Sequence, residues 1–205
     1  MTKRLVFIPL MLTIFLCASV NGAQVAGPGL KSRSCIAGLC VYPKPLTRAH
    51  LVKEYGGKPK AQMYCYWARP TDACITLETY NHPSDLRENI ESISLVQQCT
   101  CKNPITPKKA FPSLLTSEGL GLGETYERVI ALYGTPNWIR AKDKKAAKGL
   151  EFISRVAQIE PISWKSLLHD GDFVFGYIPD PEELNALFIY FKDDHVIEIE
   201  ASVSE

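Results

Sequence analysis

What this chain has little of narrows its chemistry before any motif is read. It has no excess of one charge: 23 Lys and Arg stand against 22 Asp and Glu. Nothing in that balance suggests nucleic-acid binding, which rests on clustered Lys and Arg. It has only four histidines, His50, His82, His169 and His195. None falls in the H-E-x-x-H pattern of zinc hydrolases, and there is no G-x-S-x-G nucleophile elbow. Gly119, Gly121 and Gly123 precede a helical pattern but lack the G-x-G-x-x-G spacing and the lysine of a phosphate loop. They read as an approach turn in which glycine supplies unusual backbone angles. Long apolar runs are missing too. The one at Leu5 to Leu16 is about a dozen residues, short of the roughly 20 needed to span a bilayer, and no second stretch of spanning length follows.

That short run has a different meaning. Lys3 and Arg4 precede it and small residues follow, the order of n-region, h-region and cleavage site in a secretory signal. The expectation is a signal over residues 1–23, with the mature chain starting near Ala23 or Gln24. A lipid anchor on Cys17 is the alternative, although the bulky Leu16 stands where lipid-modified cysteines usually have a small neighbour. Removing Lys3 and Arg4 leaves 21 basic residues against 22 acidic ones, a net charge of −1. The cluster Lys142, Lys144, Lys145 and Lys148 is broken by Asp143 and reads as a solvated helix face. The predicted location is therefore exported, periplasmic or secreted, with no nucleic acid and no transmembrane helix in the mature chain.

Cysteine usage agrees. Without Cys17 the chain keeps Cys35, Cys40, Cys65, Cys74, Cys99 and Cys101, an even number suited to disulfides in an oxidising compartment. Cys65 and Cys74 fall in two strand-like runs, Met63 to Trp67 and Ala73 to Tyr80, and are expected to pair across a hairpin. The other bridges would then join the Cys35/Cys40 pair to the Cys99/Cys101 pair. The spacings C-x4-C and C-x-C are not those of zinc fingers, so no metal is assigned, and no cofactor is called for.

Residues 24–45, rich in Gly, Pro and small side chains, read as an irregular arm. Thr47 then caps a short helix with Leu51, Val52 and Tyr55 on one face, closed by Gly56-Gly57 and Pro59. Strands at Met63 to Trp67, Ala73 to Tyr80 and Ile90 to Val96 complete a first module, residues 46–101. A Pro-rich linker, 102–118, leads to a second module, 119–205. There Thr125 caps a helix carrying Val129, Ile130 and Tyr133, closed by Gly134 and Pro136. A shift of 78 residues superposes Thr47 on Thr125 and Tyr55-Gly56 on Tyr133-Gly134. Strands at Asp172 to Ile178, Leu187 to Phe191 and Val196 to Ala201 follow an insertion over 141–170 with helical stretches. The expected fold class is α+β: two tandem modules, each a short helix or helix pair packed on an antiparallel sheet.

The stretch Gly119-Leu-Gly-Leu-Gly-Glu-Thr-Tyr-Glu-Arg-Val-Ile-Ala-Leu-Tyr-Gly-Thr-Pro136 resembles the signature of the SmpA/OmlA (BamE-like) family of bacterial envelope proteins. The hairpin Phe188-Ile-Tyr-Phe-Lys-Asp-Asp-His-Val-Ile-Glu-Ile199 is similar to that family's closing strands. Secreted β-lactamase-inhibitory proteins use the same small fold twice, in outline like the two halves here. The resemblance implies a non-enzymatic protein-binding module of the bacterial envelope or extracellular space, its partner another envelope or extracellular protein. It carries over no catalytic residues. The candidate binding surface is aromatic: Tyr64 and Tyr66 share one face of a strand, with Tyr80 in its neighbour. Two other readings stay open, a secreted inhibitor of an exported hydrolase and a secreted enzyme using His169, Asp170 and Asp172, the one compact cluster suited to general-base work.

Overall fold

A computed structural model describes residues 35–41, 44–59, 61–79, 89–150, 159–161, 171–178 and 185–203. Two short strands, β1 (Cys35–Ile36) and β2 (Leu39–Cys40), form a hairpin. Its turn residues Ala37 and Gly38 both take positive φ, 56° and 76°, the twist-matched geometry of a two-residue hairpin. The elements then run α1 (Arg48–Tyr55), β3 (Met63–Trp67), β4 (Cys74–Glu78) and β5 (Ser92–Val96). After the join come α2 (Tyr126–Tyr133), β6 (Trp138–Ala141), α3 (Lys144–Ala147) with a 3-10 turn at Lys148–Leu150, and β7 (Ile159–Pro161). The chain closes with β8 (Phe173–Tyr177), β9 (Asn185–Lys192) and β10 (His195–Val203).

The expected pair of helix-on-sheet modules is corrected by the pairing of these strands. The larger sheet is continuous and eight-stranded, in the order β3-β4-β5-β10-β9-β8-β6-β7, antiparallel except for β6 with β7. β5 of the first half and β10 of the second are hydrogen-bonded neighbours, with Leu95 facing Ile199 and Ile93 facing Ala201. Each half would otherwise leave an open edge of unpaired backbone groups at that strand, and joining them removes both edges. One core cluster runs under both halves, from Tyr64, Ile75 and Ile93 to Ile189, Phe175 and Ile139.

Alternation assigns the faces. Tyr64, Tyr66, Ile75, Leu77, Ile93, Leu95, Ile199, Ile189, Phe191, Phe175 and Ile139 point to one side and are completely buried. Leu51 and Tyr55 of α1, Val129 and Tyr133 of α2, and Ala146 of α3 pack into that same cluster. So does the β1–β2 hairpin through Ile36, Ala37 and Leu39, which corrects the reading of residues 35–41 as an irregular arm. Both eight-residue helices start after a threonine and end at a glycine with positive φ, 90° at Gly56 and 76° at Gly134. Each of these glycines receives a sheet tyrosine: Tyr66 donates its hydroxyl to the Gly56 carbonyl at 2.6 Å and Tyr177 to that of Gly134 at 3.0 Å. These bonds satisfy carbonyls that a helix C-terminus leaves without an internal partner.

The Pro-containing join is not a free linker. Ile105 exchanges backbone bonds with β3, donating to the Cys65 carbonyl and accepting from Trp67. Phe111 stacks on Tyr55 with ring centroids 4.8 Å apart. The segment wraps the outer edge of β3 and covers it.

Candidate functional site

The face of the sheet opposite the helices carries the other set of alternating residues. At the second half these are Trp138 and Arg140 of β6, Val174 and Gly176 of β8, Phe188 and Tyr190 of β9, and Glu198 and Glu200 of β10. Val174 and Tyr190 form a small cluster of their own, with Trp138, Phe188 and Ile197 packed half-buried around them. Trp138 and Phe188 lie 5.6 Å apart, ring centroid to centroid, within the range of favourable aromatic pairing. The indole lies over Gly176, where any Cβ would collide with it. Above the same indole sits the Arg140 guanidinium, 4.8 Å from the ring centroid, a cation–π contact.

The patch borders carboxylates. Tyr190 donates its hydroxyl to Glu200 Oε2 at 3.0 Å, and Ser92 donates to the other oxygen at 3.3 Å. Burial, then the charges of Glu200 and Glu198, then the hydrogen bond to Glu200 push the Tyr190 hydroxyl well above the ordinary tyrosine range. A β-bulge at Ile197 interrupts the pairing of β10 with β9. It lets Val196 and Ile199 both reach the core while Ile197 and Glu198 turn to the open side. Ile197 and Glu198 also line a cleft of about 1130 Å³ beyond the ends of β5 and β10, whose other walls include Leu115, Leu122 and Asp72.

Two of the three aromatics expected at a binding surface lie in the core. Tyr64 and Tyr66 are fully buried on the helix side, where their hydroxyls serve the Lys58 and Gly56 carbonyls; they present no binding surface. Tyr80 lies outside the described residues. A signal for the other face was present in Leu187-Phe188-Ile189-Tyr190-Phe191, which is apolar at both parities. A strand with one solvated face should alternate with polar residues, so Phe188 and Tyr190 needed an apolar setting of their own.

Of the three residues of the catalytic alternative, only Asp172 is described. Asp172 is half-buried, its Oδ2 accepts the Asp193 amide at 3.1 Å, and its backbone bonds to Phe191 and Lys142. It fixes the β9–β10 turn, where Asp193 and Asp194 take positive φ. His169, Asp170 and His82 lie outside the described residues. His50 is exposed on α1, and the His195 ring contacts the Asp193 carbonyl at 2.6 Å. Gly119 and Gly123 take φ of 84° and 80°, as an approach turn requires.

All six expected cysteines are bridged, in pairs other than those expected: Cys35–Cys40, Cys65–Cys101 and Cys74–Cys99. In the β3–β4 register Cys65 faces Thr76 and Cys74 faces Trp67. The two cysteines are thus diagonal neighbours, about 7–8 Å apart at Cα, beyond the reach of a relaxed bridge. Cys99 and Cys101 instead fold back over the open face of these strands. Three disulfides are typical of exported proteins in oxidising compartments, and among the described residues no helix is long and apolar enough to cross a membrane. No protein family, curated protein or solved structure was found to match this chain.

Proposed function

We propose that this chain is a non-enzymatic protein-binding module of the bacterial envelope or extracellular space, and that the open face of its sheet is the contact surface. The observation that carries this reading is the aromatic patch of Trp138 and Phe188 over Val174 and Tyr190. It lies on the face opposite α1, α2 and α3, and is bordered by the Arg140 guanidinium and the Glu198 and Glu200 carboxylates. Large rigid aromatics beside arginine are the side chains that dominate protein–protein binding energy, and the adjoining cleft offers room for a protruding segment of the partner. The disulfides and the BamE-like resemblance of residues 119–136 and 188–199 support the compartment.

The test places a photo-crosslinking residue at position 188 and, in a second version, at Met63, which is 56% exposed at the far end of the same face. In cells making the full chain, one recurrent envelope or extracellular protein should cross-link from 188 and not from 63, and Trp138→Ser should abolish its capture. Equal capture from both positions, or capture indifferent to Trp138→Ser, would reject this surface. Adding the purified chain to a panel of exported hydrolases separates a released inhibitor from a structural partner.

A further inference from the structure

The four cysteines that staple the first half are also one cluster. Their Sγ atoms all lie within 4.8 Å of one another, and Cys65 Sγ is 3.9 Å from Cys99 Sγ although the two are not bonded. Cys65 and Cys74 are buried on adjacent strands, whereas Cys99 and Cys101 are half-buried on the segment that crosses them. Four thiolates around a tetrahedral ion with metal–sulfur bonds of about 2.3 Å stand roughly 3.8 Å apart. The observed separation across the two bridges is already of that size. The Cα atoms stand 6.5 Å apart in one bridge and 4.9 Å in the other.

We propose that, once its two bridges are reduced, this cluster is a tetrathiolate site for zinc or another soft tetrahedral divalent cation. The inference is independent of the binding face at the other end of the sheet. Spacing along the chain does not reveal the site, because β3 and β4 contribute one ligand each and only Cys99-x-Cys101 is local. A phosphine supplies two electrons to each bridge while water supplies the two protons and the oxygen of the phosphine oxide, and two bridges give four thiols. One divalent cation then replaces four thiol protons, because the ligands bind as thiolates. Either closed state ties residues 99–101 to β3 and β4, so the metal would hold the same strap wherever the chain meets a reducing environment.

The test reduces the purified full chain carrying Cys35→Ser and Cys40→Ser with a phosphine, then titrates Co²⁺ without oxygen. The expected result is one ion per chain with the strong visible bands of tetrahedral thiolate coordination. Uptake of Co²⁺ should release up to four protons, and zinc should then displace it mole for mole and raise the melting temperature of the reduced protein. Cys99→Ser should weaken binding by more than the roughly tenfold to hundredfold lost with a supporting contact at such sites. If the double serine variant does not fold, the mature chain without Cys17, keeping its other six cysteines, is titrated against its Cys65→Ser form. Failure to take up one equivalent, a spectrum of octahedral type, or affinity unchanged by Cys99→Ser or Cys65→Ser would overturn the proposal.

Discussion

Gly176 and Trp138 are cross-strand neighbours in which the missing side chain of one makes room for the other. A methyl group at 176 must displace the indole from its seat beside Phe188. Overpacking of this kind costs about 1–3 kcal/mol. Gly176→Ala should therefore lower the urea midpoint with an unchanged slope and shift tryptophan emission, while also weakening capture from position 188. Two tyrosines set a pH limit at the same scale. Burial raises the Tyr66 hydroxyl, and burial with Glu200 and Glu198 raises that of Tyr190, both far above the reference value of 10.0. A raised folded-state value means the stabilisation is fully present below pH 10.0 and is lost as pH climbs past it, because the unfolded chain ionises first. Equilibrium unfolding one unit either side of that value should show a marked fall on the alkaline side. Tyr190→Phe should lose about 1 kcal/mol at neutral pH with its hydrogen bond to Glu200, and should then show a shallower alkaline decline than the parent.

Among the elements, the disulfides differ in what they close. The Cys35–Cys40 bridge spans a sequence separation of 5, Cys74–Cys99 spans 25 and Cys65–Cys101 spans 36. Loop-closure entropy then assigns about 2 kcal/mol to the first and about 4 kcal/mol to the last. Paired Cys→Ser replacements, compared by denaturant unfolding, should follow that order, and the reverse order would mean that native-state strain dominates. The elements most legible in the sequence were those specified locally. Thr47 with Gly56 and Thr125 with Gly134 bracketed both long helices, and Met63 to Trp67 coincides with β3. Trp138–Ala141, where the sequence suggested no strand, is β6. Its four residues are too few to show a period, and the strand exists because Phe173 to Gly176 pairs with it. The side to which Tyr64 and Tyr66 point was not legible for a related reason. Alternation told that Tyr64 and Tyr66 share a side but not which side the helices cover, and the bulge at Ile197 shifts the parity of β10 midway.

At the scale of the whole molecule, the decisive contact is the β5–β10 seam, which no local pattern announces because its partners lie about a hundred positions apart in the chain. Two similar helix-and-strand outlines in one sequence suggest modules that fold separately; shared backbone bonds and one core beneath them require the opposite. At the seam Ile93, Leu95, Ile199 and Ala201 are all fully buried. Tertiary hydrogen bonds cross there as well, from Gln97 to the Ile197 carbonyl and from Val203 to that of Glu91. Neither half can unfold without exposing this strip and the paired edge of the other. Heat should therefore unfold the described core in one transition, with calorimetric and van't Hoff enthalpies equal. Ala201→Asp places a carboxylate in the strip without a partner, at a cost of several kcal/mol. It should lower the melting temperature of the first half, reported by Trp67, as much as that of the second, reported by Trp138. If Trp67 kept its native transition while Trp138 lost its own, the halves would be separate folding units after all, and the seam a contact formed only after each was complete.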